Sequence, residues 1–350
     1  MRGGAPTGDD AAPTTTDRWY ATAGTLRGTR VRGADYVIKR AGFAVMTVFV
    51  AITINFFLFR VIPGSAVSNM ARVPRATSAL RHSLEVQFGL DKPKWEQYVI
   101  YLKELFHGNM GISFTDRQPV TSNLRTALAN TIPMVTLGTL VAILLGTLTG
   151  VLSAWRRGTR LDQVSTNIAI AFYAFPTQWL ALVLLIYLSG VLPSHGMTNN
   201  YLVDPTWWEH VKDVLAHMTL PSLTLALTLY GEYTLVVRSA MLETLGEDYV
   251  LTARAKGLSQ RAVVIRHALR NAMLPTVTLV ALSLGYVVAG AILIETVFSW
   301  PGIGNAVYKA VSERDYPMLQ GAFLVLTVSV VFFNLVADLL YFKLDPRITE

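Results

Sequence analysis

Cysteine is absent from the 350 residues, so the chain carries no disulfide framework and no thiolate chemistry. Charge is scarce as well: 15% of residues are Asp, Glu, Lys or Arg, against roughly 25% in an average soluble domain. With 52% hydrophobic residues, too little polar surface is left to clothe a soluble globule of this length. No G-x-x-x-x-G-K-[ST] run occurs, which excludes a phosphate-cradling P-loop from this sequence. Neither H-E-x-x-H nor G-x-S-x-G is present, and the histidines never cluster with acids at metal-ligand spacing. The expectation is a chain with no catalytic residue, no metal and no cofactor of its own.

What is present is apolar and long. About 20 apolar residues suffice to cross a bilayer as a helix. Six stretches qualify: residues 41–62, 128–154, 168–192, 220–241, 276–298 and 318–342. The predicted fold is therefore an all-α polytopic membrane protein with six transmembrane helices. Residues 1–36 are rich in Gly, Ala, Thr, Pro and Arg, a composition that buries too little surface to offset ordering entropy, and read as a disordered tail. A signal peptide fits less well, because the apolar run after Arg40 is longer than the 7–15 residues of such an h-region.

The formal charge of +7 raises the question of nucleic acid, but its placement answers it. Basic residues collect in segments flanking the apolar runs, as the positive-inside rule requires of a membrane protein. Arg27, Arg30, Arg32, Lys39 and Arg40 precede the first stretch, and Arg156, Arg157 and Arg160 join the second to the third. Arg238, Arg254, Lys256, Arg261, Arg266 and Arg270 lie between the fourth and fifth, and Lys343 and Arg347 follow the sixth. The opposite short loops hold only Lys212, Lys309 and Arg314. Both termini and the 242–274 segment are thus expected in the cytoplasm, and the long 63–127 loop outside.

The most informative segment, residues 247–275, reads EDYVLTARAKGLSQRAVVIRHALRNAMLP. Good helix formers run to Lys256, Gly257 breaks the helix, and Ser259 is placed to cap a second helix reaching about Ala272. Pro275 is expected to open the next span, where a missing N–H costs nothing. Two short helices around a glycine knuckle make a compact projection suited to a partner's groove. Small Ala253 and Ala255 allow close helix approach, and Arg254 and Lys256 suit either acidic groups on a partner protein or anionic lipid headgroups.

This segment resembles the cytoplasmic coupling loop of ABC importer permeases, most closely those of the peptide/nickel branch. The match rests on Thr252, Ala253, Arg254, Ala255, Lys256, Gly257 and Leu258, and on Arg270-Asn271-Ala272-Met273-Leu274-Pro275. The wider family's Glu-Ala-Ala is replaced by Leu251, Thr252 and Ala253. Further along, Glu295, Phe298, Pro301, Gly302 and Gly304 resemble the E-x-x-F-x-x-P-G-x-G external turn. Arg314-Asp315-Tyr316-Pro317 and Leu344-Asp345-Pro346-Arg347 resemble two later motifs. Fragments of the long loop, such as Phe88-Gly89-Leu90-Asp91-Lys92-Pro93 and Gln118-Pro119-Val120, are similar to the family's first external loop. After the first span, Ser65-Ala66 follows Pro63-Gly64 where the family carries an acidic turn residue. The likeness covers residues 37–350.

That resemblance implies a type I ABC importer permease in a bacterial plasma membrane. It implies a second homologous permease subunit, two ATPase subunits that bind ATP and Mg, and an external solute-binding protein. The cargo it implies is a di- or oligopeptide, or a nickel chelate or related small solute. A self-contained secondary carrier or channel is the competing class; it requires inverted repeats or broken midplane helices. Within the spans, Glu232 either lines a translocation path, pairs with another helix, or sits protonated. Pro176 predicts a kink in the third span and is the second candidate for the translocation path, where a kink serves gating or simply packing; Gly146 with Gly150 predicts close helix packing. Glu295 is expected to hold the Trp300-Pro301-Gly302 turn through backbone N–H groups. Asn55, Asn334 and Asp338 are expected to bond between helices, and Trp207 and Trp208 to anchor an outer loop at the interface.

Overall fold

The computed structural model describes residues 33–61, 92–199 and 204–344, and these are almost entirely helical. The expected tail up to residue 32, the 63–66 turn, residues 88–91 and residues 345–347 lie outside the described part. α1 spans Gly33–Val61, α2 Lys94–Phe106, α3 Val120–Trp155, α4 Arg160–Ala174 and α5 Thr177–Leu188. α6 spans Trp207–Thr244, α7 Asp248–Ala255, α8 Leu269–Gly290, α9 Ile292–Val297, α10 Ile303–Glu313 and α11 Tyr316–Leu344. α1, α3, α6 and α11 are each long and apolar enough to cross a membrane, and α8 has 22 residues. The described residues contain no strand, only an isolated antiparallel bridge between Ile112 and Pro119.

α3 and α6 form the centre of the bundle and run parallel. Their contact follows a four-residue stripe of small side chains on α3: Gly138, Ala142, Gly146 and Gly150. A Cβ at Gly146 would lie 2.5 Å from Tyr233 Cβ, and one at Gly150 only 2.8 Å from the Thr234 carbonyl. The pairing predicted from Gly146 and Gly150 is therefore present, and its partner is Tyr233, Thr234 and Val237 on α6. Backbones come this close because lipid tails are as apolar as leucine, so helices in a bilayer associate by packing rather than by a hydrophobic drive. Polar contacts follow the same line: the Ser222 hydroxyl donates to the Met134 carbonyl at 2.9 Å, and Thr149 and Thr234 share a 3.0 Å bond.

Other helices wrap this pair. α4 packs antiparallel to α6, with Gly231 against the backbone of Ala169 and Tyr173. α1 and α11 are antiparallel neighbours, joined by Asn55 donating to the Gln320 carbonyl at 2.9 Å and by an Arg40–Asp338 ion pair at 3.3 Å. Two of the three expected interhelical polar groups thus find partners on another helix, whereas Asn334 Oδ1 is buried with no hydrogen bond. α2 lies within the long 63–127 segment, and its Tyr98 hydroxyl bonds Thr53 of α1 at 2.7 Å.

Three boundaries differ from the sequence reading, each for a local reason. The third span is two helices rather than one kinked rod: α4 and α5 meet at 104° across Phe175 and Pro176. Pro176 removes a backbone donor and holds Phe175 extended, with ψ of 131°. Trp207 and Trp208 do not precede the fourth span in a loop but form its first turn. A capping box there pairs Thr206 with Glu209, and the two rings stack with centroids 6.0 Å apart. The apolar fifth stretch ends at Ala291, after which a separate short helix, α9, carries Glu295.

Gly146→Ala is expected to lower stability by about 1–3 kcal/mol, the usual cost of overpacking. Gly42→Ala, whose added methyl meets nothing within 4 Å, should be neutral. Thermal unfolding of the purified protein in detergent separates the two.

Candidate functional site

α7 follows α6 after a turn in which the Leu245 N–H donates to the Met241 carbonyl at 2.9 Å. It ends at Ala255 with Lys256 at its C-cap, and Gly257 adopts φ of +77°, a left-handed conformation that costs other residues about 1–2 kcal/mol. The chain then reverses, and the Ser259 hydroxyl caps the next turn by accepting the Ala262 N–H at 3.3 Å. So far the glycine knuckle and the serine cap stand as expected from the residues alone.

The second arm differs from the expected isolated helix. Gln260–Ala262 is a short α turn, Val263–Ala268 is a π-helical segment, and α8 continues directly from it. Pro275 consequently lies inside α8 and does not open a span. The projection is thus one short helix folded against the root of a long one. Tyr249 and Asn271 tie the arms together, the amide donating to the phenol oxygen at 2.7 Å.

Packing decides which of the seven matched residues face inward. Ala253 is buried with Val250 and Val263, and Leu245 covers them. Ala255, paired with Ala253 in the sequence reading, is exposed, because a two-residue offset puts it on another side of a helix with 3.6 residues per turn. Thr252, Arg254, Lys256, Gly257 and Leu258 are exposed too, and Tyr249 and Leu251 join them. Among the described residues Arg254 and Lys256 form no ion pair. Beneath, Val264, Ala268 and Ala272 pack on Ala154 of α3 and on Val237, Ala240 and Met241 of α6. The exposed face therefore rides on the central helix pair.

One cluster at this end escaped the sequence reading. Asp162, near the start of α4, is almost fully buried and receives Arg238 of α6 in a two-pronged contact, Nε at 2.7 Å and Nη2 at 3.0 Å. The Ser153 hydroxyl of α3 and the Gly158 N–H also donate to the same carboxylate, the latter at 2.9 Å. Arg238 had counted only as one cytoplasmic cation, and Asp162 not at all. An aspartate three residues after Thr159, a favoured N-cap type, was the only local signal.

At the opposite end of α3 the 295–304 motif forms a buried polar knot. Glu295 is fully buried; its carboxylate accepts the Thr131 hydroxyl at 2.6 Å and the Asn305 N–H at 3.0 Å. The turn itself is held differently from expectation: the Trp300 N–H goes to the Glu295 backbone carbonyl at 2.8 Å. The buried Trp300 ring donates to the Asn130 carbonyl at 3.0 Å, and the Asn130 amide returns a bond to the Pro301 carbonyl at 2.9 Å. Gly302 admits no side chain, since any Cβ would overlap Glu295 and Thr131, and at Gly304 a Cβ would lie 2.8 Å from the Ile292 nitrogen.

Glu232 is half-buried on a face of α6 distinct from those covered by Gly146 and Gly231, alongside Thr228, Leu235 and Val236. No ion pair reaches it among the described residues. Pro176 lies elsewhere, at the α4–α5 break, so the structure gives the two candidate path residues no shared cluster.

Long apolar helices bundled around a central pair, with a braced basic projection at one end, define a multi-pass membrane protein. The chain belongs to the binding-protein-dependent transport system inner membrane components. That family matches residues 142–350, and the family's N-terminal segment matches residues 34–135. The dipeptide transport system permease protein DppB of Escherichia coli (strain K12) is 38% identical over 335 residues, covering 90% of this chain and 98% of that protein. The di/tripeptide transport system permease protein DppB of Pseudomonas aeruginosa (strain UCBPP-PA14) is 36% identical over 330 residues, with 90% and 98% covered. The glutathione transport system permease protein GsiC of Escherichia coli O6:H1 is 32% identical over 317 residues, with the same shares. Among solved structures, inward-facing MetNI methionine ABC transporter matches with a TM-score of 0.50 at 16% identity, covering 63% of this chain and 96% of that one. At that identity the likeness speaks for the fold alone, an ABC-permease helical arrangement. The protein is accordingly a multi-pass inner-membrane permease subunit.

Gly257→Val should strain the knuckle and speed amide hydrogen exchange across residues 248–263, while Gly257→Asn, which tolerates positive φ, should do so far less.

Proposed function

We propose that this chain is the membrane conduit of an ATP-driven importer of di- and oligopeptides, moved by separate ATPase subunits that grip residues 252–258. The observation that carries the reading is the exposed face of Thr252, Arg254, Lys256 and Leu258, which forms no ion pair among the described residues and is seated on the buried Val250–Ala253–Val263 contact. A solvated loop needs no such seat, whereas a surface that transmits force does. The relatives point the same way on cargo: those quoted carry dipeptide, di/tripeptide and glutathione transport in their names, and all three are short peptides.

In this reading the α7 face lies in the cytoplasm, as the Lys and Arg distribution requires. ATP binding draws the ATPases together, and the α7 face moves with them. The central helix pair exchanges outward- for inward-facing arrangements. A second homologous permease completes the conduit, an external solute-binding protein delivers cargo over the 295–304 end, and ATP and Mg stay on the ATPases. Glu232, half-buried and without an ion pair among the described residues, lines the path and meets the cationic amino group of a peptide. The carrier alternative asks for broken helices, and the α4–α5 break is one. Family membership nevertheless favours the importer.

Deleting residues 252–258, or replacing Leu258 with Asp, should abolish copurification of the ATPases and ATP-dependent uptake of labelled alanyl-alanine while the permease still inserts. Uptake that persists at the wild-type rate would remove the coupling role. Glu232→Gln should keep ATP turnover and weaken uptake of peptides with a free amino terminus several-fold.

A further inference from the structure

The Asp162–Arg238 cluster lies where α3, α4 and α6 converge, one residue along α6 from the α7 seat. Ser153 and Ala154 are adjacent on α3: the first bonds Asp162, and the second packs on Val264 and Ala268 beneath the projection. Val237 and Arg238 repeat the arrangement on α6, one residue in the apolar seat and the next on the carboxylate. An unbroken chain of contact thus runs from α7 through α3 and α6 to the start of α4.

The chemistry of the cluster suits a rigid joint. The carboxylate is filled by an Arg fork, a hydroxyl and a backbone N–H, and charge-assisted forks of this kind fix orientation as well as distance. Asp162 is 4% exposed, so salt screens it little. Nothing about helix packing alone demands a charge here, since Gly231 already lets α4 lie on α6 through close backbone contact.

We infer that Asp162 and Arg238 are positioning residues that lock α4 to the α3–α6 pair, so that displacement of the 252–258 face reaches the α4–α5 break instead of being lost as local bending. This rests on the coupling reading proposed for that face, and the two are separable by experiment.

The chain lacks cysteine, so paired spin labels can be introduced at exposed Arg157→Cys, in the turn before α4, and Arg261→Cys, in the short α turn of the projection. With the lock intact, in the assembled complex, the label separation should stay narrow and unchanged between nucleotide-free and vanadate-trapped states. Asp162→Asn, which keeps shape and removes charge, should broaden it and make it nucleotide-dependent. ATP turnover should continue while alanyl-alanine imported per ATP falls roughly tenfold, within the usual range of coupling free energies. The swapped pair Asp162→Arg with Arg238→Asp should recover part of that ratio, which a loss of general stability would not allow. If Asp162→Asn fails to assemble, Ser153→Ala removes one donor and should give a smaller broadening of the same kind. Unchanged separations and an unchanged ratio in the assembled variants would overturn the lock. Loss of ATPase from the unsubstituted permease would instead strike the coupling reading itself.

Discussion

The close parallel approach of α3 and α6 is the constraint on which the rest of the structure depends. In a bilayer, burying leucine against leucine gains little over leaving it in lipid, so cohesion has to come from dispersion at short range and from polar groups satisfied between helices. The stripe from Gly138 to Gly150 supplies the first, and Ser222 and Thr234 supply the second. Both ends of this pair carry the motifs. Thr131 and Asn130, at the 295–304 end of α3, hold the Glu295 knot, and Ser153 and Ala154, at the other, hold the Asp162 cluster and the α7 seat.

Seen this way, the two ends differ in kind. Around Glu295 the side-chain and backbone groups face one another in a single knot whose centre, Glu295 with Trp300 and Phe298, is buried. Such a site is rigid because every move breaks several bonds at once. Around α7 the buried part is small and apolar, and the polar residues point outward. An apolar seat holds position without fixing the outer groups, which leaves them available to another protein.

Much of this was legible in the sequence because it rests on local rules. Apolar length located the long helices, the Gly146/Gly150 spacing located the central contact, and the glycine and serine of residues 257–259 located the reversal. What could not be read depends on partners distant in sequence. Asp162 meets Arg238 across 76 positions, and neither residue signals the other. Exposure of Ala255 beside burial of Ala253 depends on which side of α7 finds Val263. The π-helical turn at Val263–Ala268 runs directly into α8, which holds Pro275 in its interior, and no residue preference announces a turn of that width.

The right-angled junction at Phe175 and Pro176 carries one more implication. Since Pro176 has no N–H, the Phe172 carbonyl loses its helical partner, and the junction lies beside α6 near Gly231, well within that helix's length. A hydrocarbon tail offers such an oxygen nothing, so acyl chains are unfavourable neighbours for it. The freed carbonyl beside the exposed rings of Phe175 and Trp179 is better met by a neighbouring polypeptide or a column of water, which bring hydrogen-bonding capacity.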